Sequence, residues 1–252
     1  MTYGLIGAKL GYSYSKIIHE QLADYTYDLI PLNQKEFEDF MEKRQFNAIN
    51  VTIPYKKAVL PYLDFISPEA KSMGAVNAVV NKEGKLYGYN TDYDGFRYAL
   101  LHNHIEVKHQ KVMVLGYGGA SLAVLKVLEE LEAGEIIIVN RTVRDLAISY
   151  EEAKEKHNDA TVLINTTSVG TSPDVDKAPI DLSGFHCLRA VIDIIYNPSE
   201  TKLLSQAKFM GIQTVNGLDM LVAQAKYAVE LFLNIQIPKE RIECVKKGLD
   251  LD

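Results

Sequence analysis

Cysteine is scarce in this chain of 252 residues: Cys187 and Cys244 are its two, and neither stands in a CxxC or metal-ligand spacing. No zinc site and no disulfide framework can be read from them, and a reducing cytoplasm is the compartment they suit. Long apolar runs are missing too. No stretch approaches the roughly 20 residues of a membrane-spanning helix. The first residues, Met1-Thr2-Tyr3-Gly4-Leu5-Ile6-Gly7, carry neither a basic n-region nor an apolar core, so the expectation is a cytoplasmic protein without a membrane partner. Excess positive charge is also absent, and a formal net charge of −6 argues against nucleic acid as a partner. There is no internal repeat and no low-complexity segment. What is present, 47% hydrophobic and 24% charged residues, is the composition of an ordinary globular protein, long enough for one or two domains.

Short β-like runs alternate with amphipathic helical stretches, which predicts an α/β fold with parallel sheets built from βα units. The pattern places strands over 3–6, 27–31 and 47–52, and helices over 16–23 and 34–43. Runs over 75–80 and 86–89 read as a hairpin in which Gly84 supplies a positive φ, followed by a helix over 92–102. The polar stretch 102–111 holds three of the six histidines and ends where a very apolar strand begins, so a domain boundary is expected there.

Two polar clusters stand out in the first half. In Asn50-Val51-Thr52-Ile53-Pro54-Tyr55-Lys56, proline breaks a strand and leaves a lysine at its end. In Asn90-Thr91-Asp92 a carboxylate precedes a helix. If Lys56 and Asp92 meet in a cleft, the pair can move a proton. The plainer readings are a solvated strand-end lysine and a helix N-cap at Asp92.

The second half opens with strand Val112-Met113-Val114-Leu115, the turn Gly116-Tyr117-Gly118-Gly119-Ala120, and a helix carrying Leu122, Leu125, Leu128 and Leu131 on one side. Glycines at such a turn let the backbone approach a pyrophosphate, whose charge suits the free N–H groups of the helix N-terminus. Ser121 takes the third glycine position of GxGxxG, and a plain tight turn is the competing reading. A further apolar strand over 136–139 ends at Asn140-Arg141-Thr142, Asn140 lying 24 residues after Gly116. An NAD enzyme normally carries an acid there for the ribose 2′-hydroxyl. The Arg141 fork instead matches a 2′-phosphate, which points to NADP, against the alternative of a solvated surface arginine.

Taken in order, Ser13-Tyr14-Ser15, Asn50 to Lys56, Gly74-Ala75-Val76-Asn77, Asn90-Thr91-Asp92, Gly116 to Ala120, Asn140-Arg141-Thr142, Asn165-Thr166-Thr167-Ser168-Val169-Gly170 and Met220-Leu221-Val222-Ala223-Gln224 resemble the motifs of the shikimate dehydrogenase family, from residue 4 to about residue 233. The resemblance implies two α/β domains, a substrate domain of residues 1–101 with 219–252 and a Rossmann-like NADP domain of 102–218. It implies reversible NADP-dependent reduction of 3-dehydroshikimate to shikimate in aromatic amino acid biosynthesis, without a metal, by a monomer or homodimer. Lys56 and Asp92 match the family's catalytic pair; Ser13 and Ser15 match its carboxylate-binding serines. Thr52, Asn77 and Gln224 match residues that bond the ring hydroxyls, with Asn50 in support, and Tyr196 matches a tyrosine at the interdomain cleft. On the cofactor side the matches are Gly116, Gly118, Gly119, Ala120, Asn140, Arg141, Thr142 and Thr166, with Gly217 and Met220 near the nicotinamide. The alternatives are an NAD-preferring quinate or quinate/shikimate dehydrogenase and a non-catalytic dinucleotide-binding homologue, the latter opposed by Lys56 and Asp92.

Several positions depart from the family pattern. Lys16 replaces a proline after the second serine, Asp219 stands for glycine and Thr171 for methionine, and Arg144 is shifted by one position. Only 23 residues separate Arg141 from Asn165, so a strand-helix element is expected to be trimmed from the cofactor domain.

Overall fold

Two six-stranded sheets organise the chain in the computed structural model, which describes residues 2–249 apart from Tyr12 and Arg144. Arg144, the shifted basic residue, therefore lies outside the described residues. The fold divides into two compact units. One ends at Gly95 and resumes over Val222–Leu249, and the other spans Phe96–Leu221.

The first unit contains β1 (Thr2–Gly7), α1 (Ser15–Leu22), β2 (Asp28–Pro31), α2 (Gln34–Lys43), β3 (Phe46–Val51), α3 (Tyr55–Ala58), β4 (Phe65–Ile66), α4 (Pro68–Met73), β5 (Ala78–Lys82) and β6 (Lys85–Tyr89). Helix α5 (Thr91–His102) leads into the second unit, made of β7 (Lys111–Leu115), α6 (Gly119–Glu130), β8 (Glu135–Val139), β9 (Ala147–Ile148), α7 (Tyr150–Lys156), β10 (Val162–Asn165), β11 (Ala190–Asp193), α8 (Lys202–Phe209) and β12 (Gln213–Val215). Helix α9 (Leu218–Leu233) returns the chain to the first unit, which α10 (Glu240–Lys247) completes.

The first sheet has the order β2-β1-β3-β5-β6-β4 and is mixed, not parallel throughout: β1 runs parallel to β2 and β3, whereas β5 is antiparallel to both β3 and β6. The reason is local. The β5–β6 connection is too short for a crossover, and Glu83 (φ 54°) and Gly84 (φ 83°) both take the left-handed conformation of a tight hairpin, with Gly84 N–H donating to Asn81 Oδ1 at 2.9 Å. The hairpin starts at Ala78, later than the apolar run suggests, because Val76 N–H is committed to the Lys56 carbonyl at 2.9 Å. One face of this sheet packs Ile6, Ile49 and Val51 with Phe37 and Met41 of α2 and with Tyr55. Helix α2 starts where it does because Asn33 and Glu36 form a reciprocal capping box. The opposite face packs Leu5, Tyr27, Ala48, Ala78 and Val80 against Ala228 and Phe232 of α9.

The second sheet, β12-β11-β10-β7-β8-β9, is parallel at every pairing. Its central strands β7, β10 and β11 are buried on both faces, the usual condition of a parallel sheet. Helix α6 does not bury the leucine stripe: it buries Ser121, Ala123, Val124, Val127 and Leu128, while Leu122 and Leu125 are half-buried and Leu131 is the C-cap. The inward ridge follows small and β-branched residues because they let the helix lie close to the sheet. Between Val139 and Ala147 the described residues contain no helix, and β9 is only 2 residues long.

Candidate active site

The chain leaves β3 at Val51, passes Thr52 and turns at Pro54 into the short helix α3. Tyr55 anchors that turn: it is 2% exposed, stacks on Phe37 with ring centroids 4.2 Å apart, and donates its hydroxyl to Leu32 O at 2.6 Å. Lys56 is thereby held at the strand's end, its Nζ 2.5 Å from Asp92 Oδ2 with both side chains largely shielded from solvent. Asp92 is not an N-cap. Helix α5 begins at Thr91, so the carboxylate sits inside the first turn, where the helix N-terminus suits a negative charge. Gly7 closes the floor: a Cβ there would lie 2.6 Å from Thr52 Cγ2, so glycine lets β1 approach the Thr52 turn.

Neutral amides and a hydroxyl form a connected string in the same unit. Asn50 Nδ2 donates to Asn77 O at 3.1 Å, and Thr91 N–H donates to Asn77 Oδ1 at 2.7 Å. Asn77 Nδ2 donates to Thr91 Oγ1 at 3.2 Å, and that hydroxyl's own proton is shared between Asn77 Oδ1 at 3.3 Å and Gln224 Oε1 at 3.5 Å. These bonds bring Asn77 and Gln224 together, and the Lys56 carbonyl, by accepting from Val76 N–H, ties the residue before Asn77 to the lysine. At the head of α1, Ser13 Oγ donates to Ser15 Oγ at 3.0 Å and accepts from Ser15 N–H at 3.2 Å. Ser15 is the first helical residue and not the cap, so Ser13 satisfies a helix donor instead. Lys16 turns away from the serines, toward Glu20 and the Tyr27 carbonyl.

In the second unit the glycine turn is built for close backbone approach. Gly116 has φ 98°, and a Cβ on it would lie 2.9 Å from Thr166 Oγ1, so a side chain is excluded twice over. Thr166 spends its hydroxyl on Leu115 O at 2.7 Å, bracing the turn. Gly118 is the N-cap of α6 and faces open space, and Gly119 and Ala120 form the helix's first residues. No side chain caps α6 and no acid lies in its first turn, so its leading N–H groups suit an anion. Ser121 is fully buried and donates to Gly118 O at 2.7 Å, which explains a small residue in place of the third glycine. At the end of β8, Asn140 Nδ2 donates to Thr142 O at 3.0 Å, and Arg141 is exposed, free of any carboxylate ion pair among the described residues. An uncapped helix start without acids together with an exposed guanidinium fits a dinucleotide carrying an extra phosphate.

The buried carboxylate of Asp193 ties the neighbouring loops together. It accepts from Asn165 Nδ2 at 3.0 Å, from Ile195 N–H at 3.1 Å and from Thr201 Oγ1 at 2.8 Å. Burial pushes its pKa up to about 6 against these three donors. Tyr196 follows it in the loop after β11, half-buried. Gly217 is demanded by packing, since a Cβ would come within 1.9 Å of Ile194 O. Met220 is buried, and Asp219, the departure from glycine, accepts from Asn103 Nδ2 at 2.6 Å. Thr171 accepts from Asp174 N–H at 2.9 Å through its carbonyl and serves a turn. Sequence reasoning assigned nothing to Tyr27, Thr91, Asn103 or Asp193. Thr91 lies within a motif it singled out, but Tyr27 meets Asn50, Asn103 meets Asp219 and Asp193 meets Asn165 across 23 or more residues, which left no periodic signal.

Comparison with known proteins follows the same lines. A family model described as "Shikimate dehydrogenase substrate binding domain" matches residues 5–79. A "Shikimate dehydrogenase (NADP(+))" of Clostridium perfringens is 39% identical over 98% of this chain and 97% of its own. The crystal structure of a chorismate mutase/shikimate 5-dehydrogenase fusion protein from Clostridium acetobutylicum superposes with a TM-score of 0.92 at 34% identity, covering 99% of this chain and 97% of that one. Shikimate 5-dehydrogenase from Thermus thermophilus, in complex with NADP(H) and shikimate, superposes with a TM-score of 0.88 at 31% identity over 98% of this chain and 99% of that one.

Proposed function

The chain belongs to the shikimate dehydrogenase family, and on that premise we propose that it catalyses the reversible NADP-dependent reduction of 3-dehydroshikimate to shikimate, a step of aromatic amino acid biosynthesis. The observation that carries the assignment of roles is the shielded Lys56–Asp92 pair at 2.5 Å beside a string of neutral amides. Oxidising an alcohol to a ketone removes a hydride and a proton. NADP+, when bound, takes the hydride, and NADPH returns it. Lys56 takes the hydroxyl proton and, in the reverse direction, delivers one to the forming alkoxide. Asp92 holds the amine at one place and aims it at one oxygen.

The first unit binds the acid. Ser13 and Ser15 hold its carboxylate at the start of α1, and Thr52, Asn77 and Gln224, neutral groups able both to donate and to accept, hold the ring hydroxyls. Tyr196 completes the substrate set. The second unit binds NADP, with the pyrophosphate on Gly116, Gly118, Gly119 and Ala120, the 2′-phosphate on Arg141 flanked by Asn140 and Thr142, Thr166 bracing the turn, and Gly217 and Met220 serving the nicotinamide end. No helix among the described residues is long and apolar enough to cross a membrane. The enzyme works in the cytoplasm as a monomer or homodimer, on a small-molecule substrate and without nucleic acid.

A spectrophotometric assay of NADPH formation from shikimate tests this directly. Lys56→Ala should lower kcat by about 10²–10⁴, the usual worth of a positioned acid-base group. Failure of the native protein to turn over shikimate sinks the enzyme reading, and full activity in the variant sinks the role of Lys56. Repeating the assay with quinate and with NAD+ separates the quinate and NAD-preferring alternatives.

A further inference from the structure

Lys16, the residue in place of proline, leads to a side chain remote from the reacting atoms. Its Nζ pairs with Glu20 Oε1 at 2.7 Å and donates to Tyr27 O at 2.7 Å, while Glu20 Oε1 accepts from Tyr27 N–H at 3.1 Å. Helix α1 thus grips the backbone of Tyr27 on both its N–H and its carbonyl. The same helix presents His19, whose ring stacks on the Tyr27 ring with centroids 3.9 Å apart. His19 is 1% exposed, its Nδ1 lies 2.5 Å from Tyr25 Oη, and burial lowers its pKa to about 3, so a neutral ring makes that stack.

Tyr27 is fully buried, and burial raises its pKa well above the ordinary tyrosine value, so its hydroxyl stays a donor. That hydroxyl donates to Asn50 Oδ1 at 2.8 Å. Asn50 cannot flip its amide, because its Nδ2 faces the Asn77 carbonyl at 3.1 Å. Beyond Asn77 the string continues through Thr91 to Gln224.

We propose that Tyr27 is a positioning residue for the substrate: it locks Asn50, and through Asn50 the Asn77–Thr91–Gln224 string, to the helix that begins at Ser15, with Ser13 two residues ahead of it. The carboxylate-binding and hydroxyl-binding halves of the pocket are then held at one spacing, selective for a ring acid of one size. This inference rests on the activity proposed above. Removing the Tyr27 hydroxyl leaves Asn50 Oδ1 without a donor at 5% residue exposure and loosens that spacing.

The test is Tyr27→Phe, which keeps the ring and its stacking, assayed with shikimate and NADP+ varied separately and with a thermal melt. We expect KM for shikimate to rise about tenfold, the worth of one buried hydrogen bond, with KM for NADP+ unchanged and kcat within about threefold. Lys16→Met, a change at a half-buried site that releases the Tyr27 carbonyl and the Glu20 carboxylate but keeps the Tyr27 hydroxyl, should move KM for shikimate the same way by a smaller factor, and it decides the matter if Tyr27→Phe does not fold. An unchanged KM for shikimate, or equal rises for both ligands, overturns the positioning role. An inactive wild type overturns the activity reading and this inference with it, whereas an active wild type with an unaltered variant overturns this inference alone.

Discussion

Replacing Asp193 by asparagine should remove a pH-dependent penalty from the folded state. The carboxyl is fully buried, and its pKa rises from 3.8 to about 6 because desolvation outweighs the donors Asn165, Ile195 and Thr201. A folded state that holds its proton more tightly than the unfolded chain is favoured at low pH. The contribution is fully present below the unfolded value of 3.8 and is lost as pH rises through about 6. At 1.36 kcal/mol per pK unit the whole effect is about 3 kcal/mol, of which about 2 kcal/mol falls between pH 4.5 and 7.5. The introduced amide keeps an oxygen for Ile195 and Asn165 and can offer its NH2 to the Thr201 hydroxyl, so the local fold should survive. The chain has no tryptophan, so urea unfolding followed by circular dichroism is the suitable assay, run on both proteins across that range. Relative to wild type, Asp193→Asn should gain about 2 kcal/mol from the acid to the neutral end. Parallel curves would refute the reasoning, as would a wild type that gains on the variant with rising pH.

Two further outcomes follow from the cofactor unit. Arg141→Ala should raise KM for NADP+ about tenfold to a hundredfold, the worth of a charge-assisted phosphate contact, while leaving KM for NAD+ within about twofold; steady-state kinetics with both cofactors decides, and an equal loss for both would remove the 2′-phosphate from the account. Gly217→Ala places a Cβ within 1.9 Å of Ile194 O and should cost about 3 kcal/mol or more, whereas Gly184→Ala, where a Cβ meets nothing within 4 Å, should leave the melting temperature near wild type. A Gly217→Ala protein as stable as the control would show that the β11–α9 approach is not tight.

Much of the site was legible because its chemistry depends on residues close in sequence. The strand break at Pro54, the glycine turn at Gly116 and the arginine after the next strand are local signals, each tied to a backbone property or a charge. The errors were local as well. The plainer reading of Asp92 as a cap fails because the helix begins one residue earlier, at Thr91, which places the carboxylate inside the first turn. The leucine stripe of α6 misled because the sheet beneath selects small and β-branched residues for close approach.

By itself the sequence determined the alternation of strands and helices, the family, and which residue types stand at each turn, because periodicity, glycine and proline act over a few residues. Tertiary structure alone decided which of those residues meet. Lys56 and Asp92, 36 positions apart, reach 2.5 Å because β3 and the β5–β6 hairpin share one sheet and discharge their chains at neighbouring points. Tyr27 gains its hold on Asn50 in the same way, through a core that buries its ring and leaves its hydroxyl one acceptor. Long-range pairings of this kind follow from burial and sheet order, which no short window of sequence contains.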